Sequence, residues 1–112
     1  MIKKRRFSRI GKVRTAFFRG LMRNLILHKK IKTTEARAKE IRGPIEKLVT
    51  LAKKKNLASK RLLISRLSDL EASKKLEEIS NDYEKRAGGY LRIIKLDARK
   101  SDGAKMAIIE FV

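Results

Sequence analysis

The sequence predicts an α+β fold in which helices come first and a small antiparallel sheet follows. Three observations predict it. Apolar residues recur at helical spacing in four segments before Gly88-Gly89, β-branched runs follow, and Asp102-Gly103 marks a turn between two of those runs. With 112 residues, the chain has the length of one domain with a small core.

The first predicted helix runs from Thr15 to about Lys29. Its apolar positions, which we assign to the core, are Phe17, Phe18, Leu21, Met22, Leu25 and Ile26. Arg19 and Arg23 lie four residues apart on another face, and no acidic residue is near them in sequence. We therefore expect these two arginines to contact an external anion rather than to form a plain solvated face.

A second helix is predicted after the β-branched segment near residues 31–33. Thr33 or Thr34 can cap it, and Glu35 in its first turn suits the positive end of the helix dipole. Gly43-Pro44 lies inside its apolar stripe. Because proline has no amide hydrogen and disfavours helix at the preceding residue, we expect a kink or a break near Arg42.

Two shorter helices are predicted next. Asn56 is typical of a turn or of the cap of a third helix that ends near Leu67. Ser68-Asp69-Leu70-Glu71 fits a capping box, in which the serine hydroxyl and the glutamate carboxylate satisfy amides at a helix start. The fourth helix is expected to end at Arg86-Ala87-Gly88-Gly89, and its buried positions are Leu76, Ile79 and Tyr83.

A C-terminal hairpin completes the predicted fold. Its strands are residues 90–96 and 106–112, and residues 99–104 form the loop between them. An isolated hairpin is marginally stable in water, so this one should pack against the helices. The extended segment near residues 31–33 is a candidate third strand.

Positive charge is concentrated at the start of the chain. The first 32 residues hold 12 Lys and Arg and no Asp or Glu, whereas residues 33–112 hold 19 basic and 12 acidic side chains within a net charge of +19. Such an opening cannot bury a core and is typical of a segment that becomes ordered on a polyanion. We divide the chain into a basic N-terminal arm, residues 1–13, ordered on RNA, and a single α+β domain, residues 14–112.

Other functions of a basic opening fit less well. A mitochondrial transit peptide or a membrane-surface helix would share the composition, but this segment continues into a helix whose apolar residues are assigned to a core. The apolar runs are short and interrupted by charge, so the sequence predicts no membrane span and no secretory signal. The absence of cysteine is compatible with a reducing cytoplasm.

The residues offer little basis for catalysis or metal binding. With no cysteine and one histidine, thiol nucleophiles, thiolate metal sites and histidine clusters are excluded. His28 is the only histidine and lies beside Lys29 and Lys30, so it is poorly placed for base catalysis. Gly88-Gly89 lacks the Gly-Lys-Ser/Thr ending of a P-loop. We predict a protein that is not an enzyme, with no cofactor, no metal, no small-molecule substrate and no membrane partner.

Nucleic acid is the predicted partner, recognised through its backbone and shape, because the sequence lacks the basic and aromatic run of an RNA recognition motif. Gly88-Gly89 can stop a helix and can also let a phosphate approach the backbone between Arg86 and Arg92. The predicted RNA-contacting residues are Lys3, Lys4, Arg5, Arg6, Arg9, Lys12, Arg14, Arg19, Arg23, His28, Lys29, Lys30, Lys32, Arg86, Gly88, Gly89, Tyr90, Arg92, Arg99 and Lys100. A nucleoid-type architectural DNA-binding protein is the alternative that basic composition leaves open.

Four segments resemble one known family. They lie at residues 32–42, 46–53, 86–95 and 102–112 and include Lys32-Thr33-Thr34-Glu35, Gly88-Gly89-Tyr90-Leu91-Arg92 and Asp102-Gly103-Ala104-Lys105. In order and spacing they resemble bacterial-type large-subunit ribosomal protein seventeen from about Arg14 to Val112. The resemblance implies a structural constituent of the large ribosomal subunit, a ribonucleoprotein of translation in the cytoplasm. It also implies contacts with large-subunit ribosomal RNA and neighbouring ribosomal proteins, on the outer surface near the peptide exit region.

The resemblance also assigns individual positions. Arg5 and Arg9 match the basic arm of the family, Arg14 and Arg19 match arginines that lead into and lie within the first helix, and His28 matches a histidine before the Lys-Thr-Thr segment. The Gly-Gly-Tyr turn of the family is matched by Arg86, Gly88, Gly89, Tyr90 and Arg92. Two departures are Val13, where the family usually has histidine, and Gly20, where asparagine is usual.

Overall fold

Helices form most of the chain, and the strands lie after the first helix and at the C-terminal end. The computed structural model describes the backbone of residues 2–112 and the side chains of residues 15–112. Within these limits the helices are α1 (Ile2–His28), α2 (Glu35–Ala52), α3 (Leu57–Leu67) and α4 (Leu70–Asn81). The strands are β1 (Lys30–Thr34), β2 (Leu91–Ala98) and β3 (Lys105–Phe111). The α+β class is confirmed.

The three strands form one antiparallel sheet in the order β1-β3-β2. Ile109 of β3 lies opposite Ile31 of β1 and Ile93 of β2. The predicted hairpin is therefore confirmed, and the candidate third strand pairs with its second strand. In the hairpin loop Gly103 has a φ of 69°, a left-handed conformation that glycine adopts without steric cost.

The hydrophobic core lies between one face of the sheet and the helices. Leu91, Ala107 and Ile109 contribute that face of the sheet, and all three are buried in the same cluster as the helix residues. The largest fully buried apolar side chains are Tyr90, Leu25, Ile26, Ile41, Ile45, Leu63, Leu67, Leu76, Ile109 and Val49. Burying each aliphatic side chain contributes about 1.5–3 kcal/mol, so this cluster is the main source of stability.

Helix α1 begins at Ile2, well before the predicted start near Thr15. Lys and Arg have good helix propensity, and no proline interrupts this stretch of sequence. The predicted ordering of residues 1–13 on RNA concerns a segment whose side chains lie outside the described ones. It stays a prediction.

Helix α2 is continuous through Gly43 and Pro44, so the predicted break near Arg42 is wrong. Both residues are exposed, while Ile41 before them and Ile45 after them are buried. An interior proline costs a helix about 3 kcal/mol. Burial of the apolar stripe on both sides of the proline outweighs that cost.

The caps of α2 and α3 agree with the sequence. Thr34 precedes α2, and its side chain accepts a hydrogen bond from the Arg37 amide at 3.3 Å. Asn56 precedes α3, and its Oδ1 accepts from the Ser59 amide at 2.8 Å. Each cap satisfies an amide that has no partner within its helix.

The cap of α4 differs from the predicted capping box. Asp69, not Ser68, caps the helix, and its Oδ1 accepts from the amides of Glu71 at 2.9 Å and Ala72 at 3.4 Å. Ser68 instead ends α3 in a left-handed conformation with a φ of 53°. Because only Ser68 and Asp69 separate the two helices, the first must reverse the chain and only the second can cap.

Helix α4 ends at Asn81, before the predicted stop at Arg86. The amides of Asp82 and Tyr83 bond carbonyls three residues back, which tightens the last turn and closes the helix. Tyr83 is buried as predicted, although it lies beyond the helix, and its hydroxyl donates to the Val112 carbonyl at 2.5 Å. That contact draws the segment after α4 toward the end of β3.

Candidate nucleic-acid interface

The predicted contact residues fall into separate groups in the structure. One group lies outside the described side chains and stays predicted; its members are Lys3, Lys4, Arg5, Arg6, Arg9, Lys12 and Arg14. The others lie on the described part of α1, at one end of the sheet, on the outer face of β1 and on the hairpin loop.

The largest described group surrounds one end of the sheet, which we call the Gly88-Gly89 end. The Phe111 amide donates to the Lys29 carbonyl at 3.1 Å, and the Val112 amide donates to the Tyr90 carbonyl at 3.0 Å. These bonds bring together the start of β1, the start of β2 and the end of β3. The predicted contact residues gathered here are His28, Lys29, Lys30, Arg86, Gly88, Gly89 and Arg92.

Positive charge at the Gly88-Gly89 end is only partly matched within the protein. Arg92 Nε lies 2.7 Å from Glu110 Oε1. No ion pair among the described residues joins His28, Lys29 or Lys30 to a carboxylate. The C-terminal carbonyls of α1 interact favourably with Lys29 and Lys30, but they carry only about half an elementary charge. This end therefore retains positive charge that an external anion can neutralise.

Lys53 and Tyr90 hold the turn that contains Gly88 and Gly89 through hydrogen bonds. Lys53 Nζ donates to the Arg86 carbonyl at 2.5 Å and to the Tyr90 hydroxyl oxygen at 3.0 Å. The Tyr90 hydroxyl donates to the same Arg86 carbonyl at 3.0 Å. The hydrogen bond from Lys53 lowers the pKa of the Tyr90 phenol. These contacts fix the path of the chain into β2.

Tyr90 itself lies in the core rather than on the surface. It is 1% exposed, so its ring cannot stack on a base in this conformation. The sequence did not predict the role of Lys53, because its partner Arg86 lies 33 residues away. The run Lys53-Lys54-Lys55 gave no signal that would single out the first lysine.

Arg19 and Arg23 have partners inside the protein that the sequence did not predict. Arg19 Nε donates to the Arg66 carbonyl at 3.0 Å, and Arg23 Nη1 donates to the Leu67 carbonyl at 3.1 Å. The last carbonyls of a helix lack intrahelical donors, and cations are favourable near them. The two arginines therefore hold α1 against the end of α3. The predicted contact of these arginines with RNA stays a prediction, carried by guanidinium N–H groups outside these bonds.

Arg99 and Lys100 lie on the hairpin loop, at the opposite end of the sheet. At about 3.3 Å per residue, Arg99 is roughly 23 Å along β2 from Arg92. Arg99 Nε and Nη2 donate to Asp102 Oδ1 at 2.9 Å and Oδ2 at 2.7 Å. Arg99 thereby lowers the pKa of the Asp102 carboxyl to about 2, with a further contribution from the Ala104 amide. The two loop residues do not join the Gly88-Gly89 end.

Lys30 and Lys32 share the outer face of β1, the face that points away from the core. Alternate residues of a strand point to opposite sides of the sheet. Thr33 points toward the helices and is buried, so Lys30 and Lys32 point to the other side. In the register, Lys30 lies opposite Glu110 and Lys32 lies opposite Ile108. Lys32 is therefore two residues farther along β1 than Lys30, away from the Gly88-Gly89 end.

Phe17 corrects one assignment to the core. It is 43% exposed, its ring lies edge-on to Phe18 with centroids 5.5 Å apart, and the Arg37 guanidinium lies 4.7 Å from its ring centroid. Arg37 comes from the first turn of α2 and covers the ring through a cation–π contact. Helical spacing grouped Phe17 with the apolar residues of the core. In the structure its ring instead contacts the Arg37 guanidinium of α2 at the surface.

Two further features of the described residues bear on the possible functions. In the described part of the chain, no helix combines the length and the apolar character that crossing a bilayer requires. No group of three or more histidine, aspartate or glutamate side chains among the same residues is arranged to hold a metal ion.

Comparison with known proteins gives consistent matches. A family model described as Ribosomal protein L17 matches residues 17–112. The large ribosomal subunit protein bL17 of Hydrogenobaculum sp. (strain Y04AAS1) is 50% identical over 113 residues, which cover 99% of this chain and 96% of that protein. The bL17 proteins of Sphingopyxis alaskensis and of Wolbachia pipientis wMel are 50% and 47% identical, over 96% and 99% of this chain and 78% and 80% of those proteins.

Proposed function

Because the chain belongs to the ribosomal protein L17 family, we propose that it binds large-subunit ribosomal RNA through phosphate contacts and stabilises the fold of that RNA. The family is one of non-enzymatic constituents of the large ribosomal subunit, which in bacteria lies in the cytoplasm. The resemblance seen in the sequence and the expectation of a protein without catalytic activity are both confirmed.

The distribution of charge is the observation that carries the RNA-binding proposal. The first 32 residues have no acidic side chain. They include His28, Lys29 and Lys30 at the Gly88-Gly89 end of the sheet, which have no carboxylate partner among the described residues. Phosphate neutralisation by Lys and Arg dominates the affinity of most nucleic-acid-binding proteins. A surface of this kind is stabilised by a polyanion.

The geometry of the Gly88-Gly89 turn supports close approach of a phosphate. Gly88 and Gly89 are exposed, and the space that a Cβ would occupy at each is open. Arg86 and Arg92 flank them in sequence, and the bonds from Lys53 and Tyr90 to the Arg86 carbonyl hold the turn in place. A phosphate could therefore contact the backbone here without displacing a side chain.

The salt dependence of binding tests the mechanism. The purified chain should bind deproteinised large-subunit ribosomal RNA with an affinity that falls about 10³- to 10⁵-fold between 50 and 200 mM salt if six to ten phosphates are contacted. Arg86→Ala combined with Arg92→Ala should make the slope of log affinity against log salt shallower. The change should correspond to the loss of about one to two phosphate contacts. The matched control is Lys74→Ala, an exposed lysine on α4. An affinity that is independent of salt would refute the phosphate mechanism.

Incorporation into particles tests the role of the N-terminal residues, and fractionation of a lysate tests the DNA-binding alternative. Replacing Arg5, Arg6, Arg9 and Arg14 with Ser should reduce the amount of chain in large subunits while the body stays folded. Unchanged incorporation would show that these arginines are dispensable.

In a fractionated lysate, the wild-type chain should sediment with large subunits after DNase treatment. Release by DNase would favour an architectural DNA-binding protein.

A further inference from the structure

The outer face of the sheet is apolar at its centre. Ile94 and Leu96 of β2 are 42% and 37% exposed, and Ile108 of β3 lies directly opposite Ile94 and is half-buried. These side chains point away from the core, because Ile93 and Ile109, their neighbours in the strands, pack on the core side. None of the described helices covers this face. Contiguous exposed apolar groups on a folded domain mark sites of interaction.

Basic side chains surround this apolar centre. Lys30 and Lys32 are exposed on the β1 side, and Arg92 is exposed on β2. Lys100 lies on the hairpin loop, which with Lys32 and Leu96 borders a shallow cavity of about 430 Å³. Two carboxylates are also near, Glu110, which is bonded to Arg92, and Asp97, which lines the same cavity, so the basic side chains remain in excess. An apolar centre inside a charged rim is the arrangement of a protein interface, here with a positive rim.

The side chains on this face do not suit stacked bases. Sheet surfaces that bind single-stranded RNA present aromatic rings, and no aromatic side chain among the described residues lies on the outer face. Phe111 packs on the core side, and Tyr90 is buried. Isoleucine and leucine pack instead against other aliphatic or aromatic side chains, which a protein supplies.

Charge also argues against a second copy of this chain. Two copies that met through this face would bring their Lys30, Lys32 and Arg92 side chains together, and like charges in an interface cost several kcal/mol. A partner with carboxylates around its own apolar patch would neutralise the same rim.

We propose that the outer face of the sheet docks a neighbouring protein of the large ribosomal subunit, through an apolar patch of that protein flanked by aspartate or glutamate. This inference rests on the proposed function, since it requires the chain to be in the particle. It assigns two adjoining surfaces to the domain, with Lys30 and Arg92 at the border between them. The Gly88-Gly89 end faces RNA, and the apolar centre formed by Ile94, Leu96 and Ile108 faces protein.

Site-specific photo-crosslinking in purified large subunits tests this assignment. A benzophenone side chain is placed at Ile94 or, in a second variant, at Leu96, and the crosslinked partner is identified by mass spectrometry. Both positions should crosslink to the same ribosomal protein, in a peptide that contains or adjoins acidic residues. The matched control is the same group at Leu57, which is 62% exposed on α3 and should give a several-fold lower yield of that product.

Charge reversal adds a second readout. Lys32→Glu should lower the yield of the Ile94 crosslink several-fold, whereas Lys74→Glu should leave it unchanged. Crosslinks from both positions to ribosomal RNA or to another copy of the chain would overturn the proposed docking, and so would a yield no higher than that from Leu57. Sedimentation of the same variants with large subunits is scored separately. A chain absent from the particles would contradict the proposed function, whereas a chain present but crosslinked to RNA would contradict only the docking.

Discussion

Arg23 Nη1 donates a hydrogen bond to the carbonyl of Leu67, 3.1 Å away at the end of α3. One turn earlier on α1, Arg19 makes the same kind of contact with the neighbouring carbonyl of Arg66. Helix α1 is 27 residues long, about 40 Å, and these bonds lie in its C-terminal half. The docking of that half on α3 sets the direction in which the N-terminal, strongly basic half leaves the domain.

Removing the Arg23 contact should destabilise the domain. We expect Arg23→Ala to lower the free energy of unfolding by about 1–2 kcal/mol, because a charged donor is lost and a helix-end carbonyl loses its partner. Arg23→Lys should cost less, since the charge remains. Urea denaturation measures both. Arg61→Ala, at an exposed position on α3, should stay within about 0.5 kcal/mol of the wild type; an equal loss there would assign the effect to charge in general.

The hydrogen bonds among Lys53, Tyr90 and the Arg86 carbonyl should keep the Gly88-Gly89 turn ordered. Tyr90→Phe removes the hydroxyl that links Lys53 to the Arg86 carbonyl, at a cost of about 1 kcal/mol. We expect faster hydrogen exchange of the backbone amides of residues 86–90, with the rest of the sheet unaffected. Lys53→Met should give the same pattern. Uniformly faster exchange across the sheet would mean that the hydroxyl serves global stability rather than the turn.

Two glycines with similar space around them should respond oppositely to alanine. At Gly20 and Gly89 the position of a Cβ is open, but Gly20 lies inside α1, whereas Gly89 has a φ of 65°. Gly20→Ala should raise the free energy of unfolding by about 0.5–1 kcal/mol through helix propensity. Gly89→Ala should lower it by about 1–2 kcal/mol through left-handed strain. Thermal and urea denaturation compare the two, and a stabilising Gly89→Ala would show that the turn adopts another conformation.

The hairpin loop should hold its Arg99–Asp102 contact down to unusually low pH. The folded pKa of Asp102 is lowered from 3.8 to about 2, so the contact is fully present above pH 3.8 and is lost as the pH falls through about 2. NMR titration of the carboxyl resonance measures this directly. Arg99→Ala should raise the pKa toward 3.8. An Asp102 that titrates normally in the wild type would show that the bidentate pair is absent in solution.

Local patterns predicted the elements of this fold, and contacts between distant segments decided its details. The caps formed by Thr34 and Asn56 were predictable because their hydrogen bonds reach only three residues along the chain. The choice of Asp69 over Ser68 depends on how few residues connect α3 and α4. The persistence of α2 through Pro44 depends on the core that buries both of its halves, which no window of sequence contains.

The candidate site was predictable in kind but not in arrangement. Net charge and its concentration in the first 32 residues indicated a polyanionic partner. Composition could not show that Arg19 and Arg23 bond carbonyls of α3, since those acceptors belong to the backbone. Nor could it separate Arg99, which is paired within its loop, from Lys29 and Lys30 at the other end of the sheet.

Strand β3 is the last element in sequence but the central strand of the sheet. Strands β1 and β2 do not pair with each other, so neither has a partner until residues 105–111 are available. During synthesis the four helices emerge first and can begin to associate, whereas the sheet must wait for β3 to leave the translating ribosome. The basic start of the chain is therefore exposed to RNA before its own domain is complete.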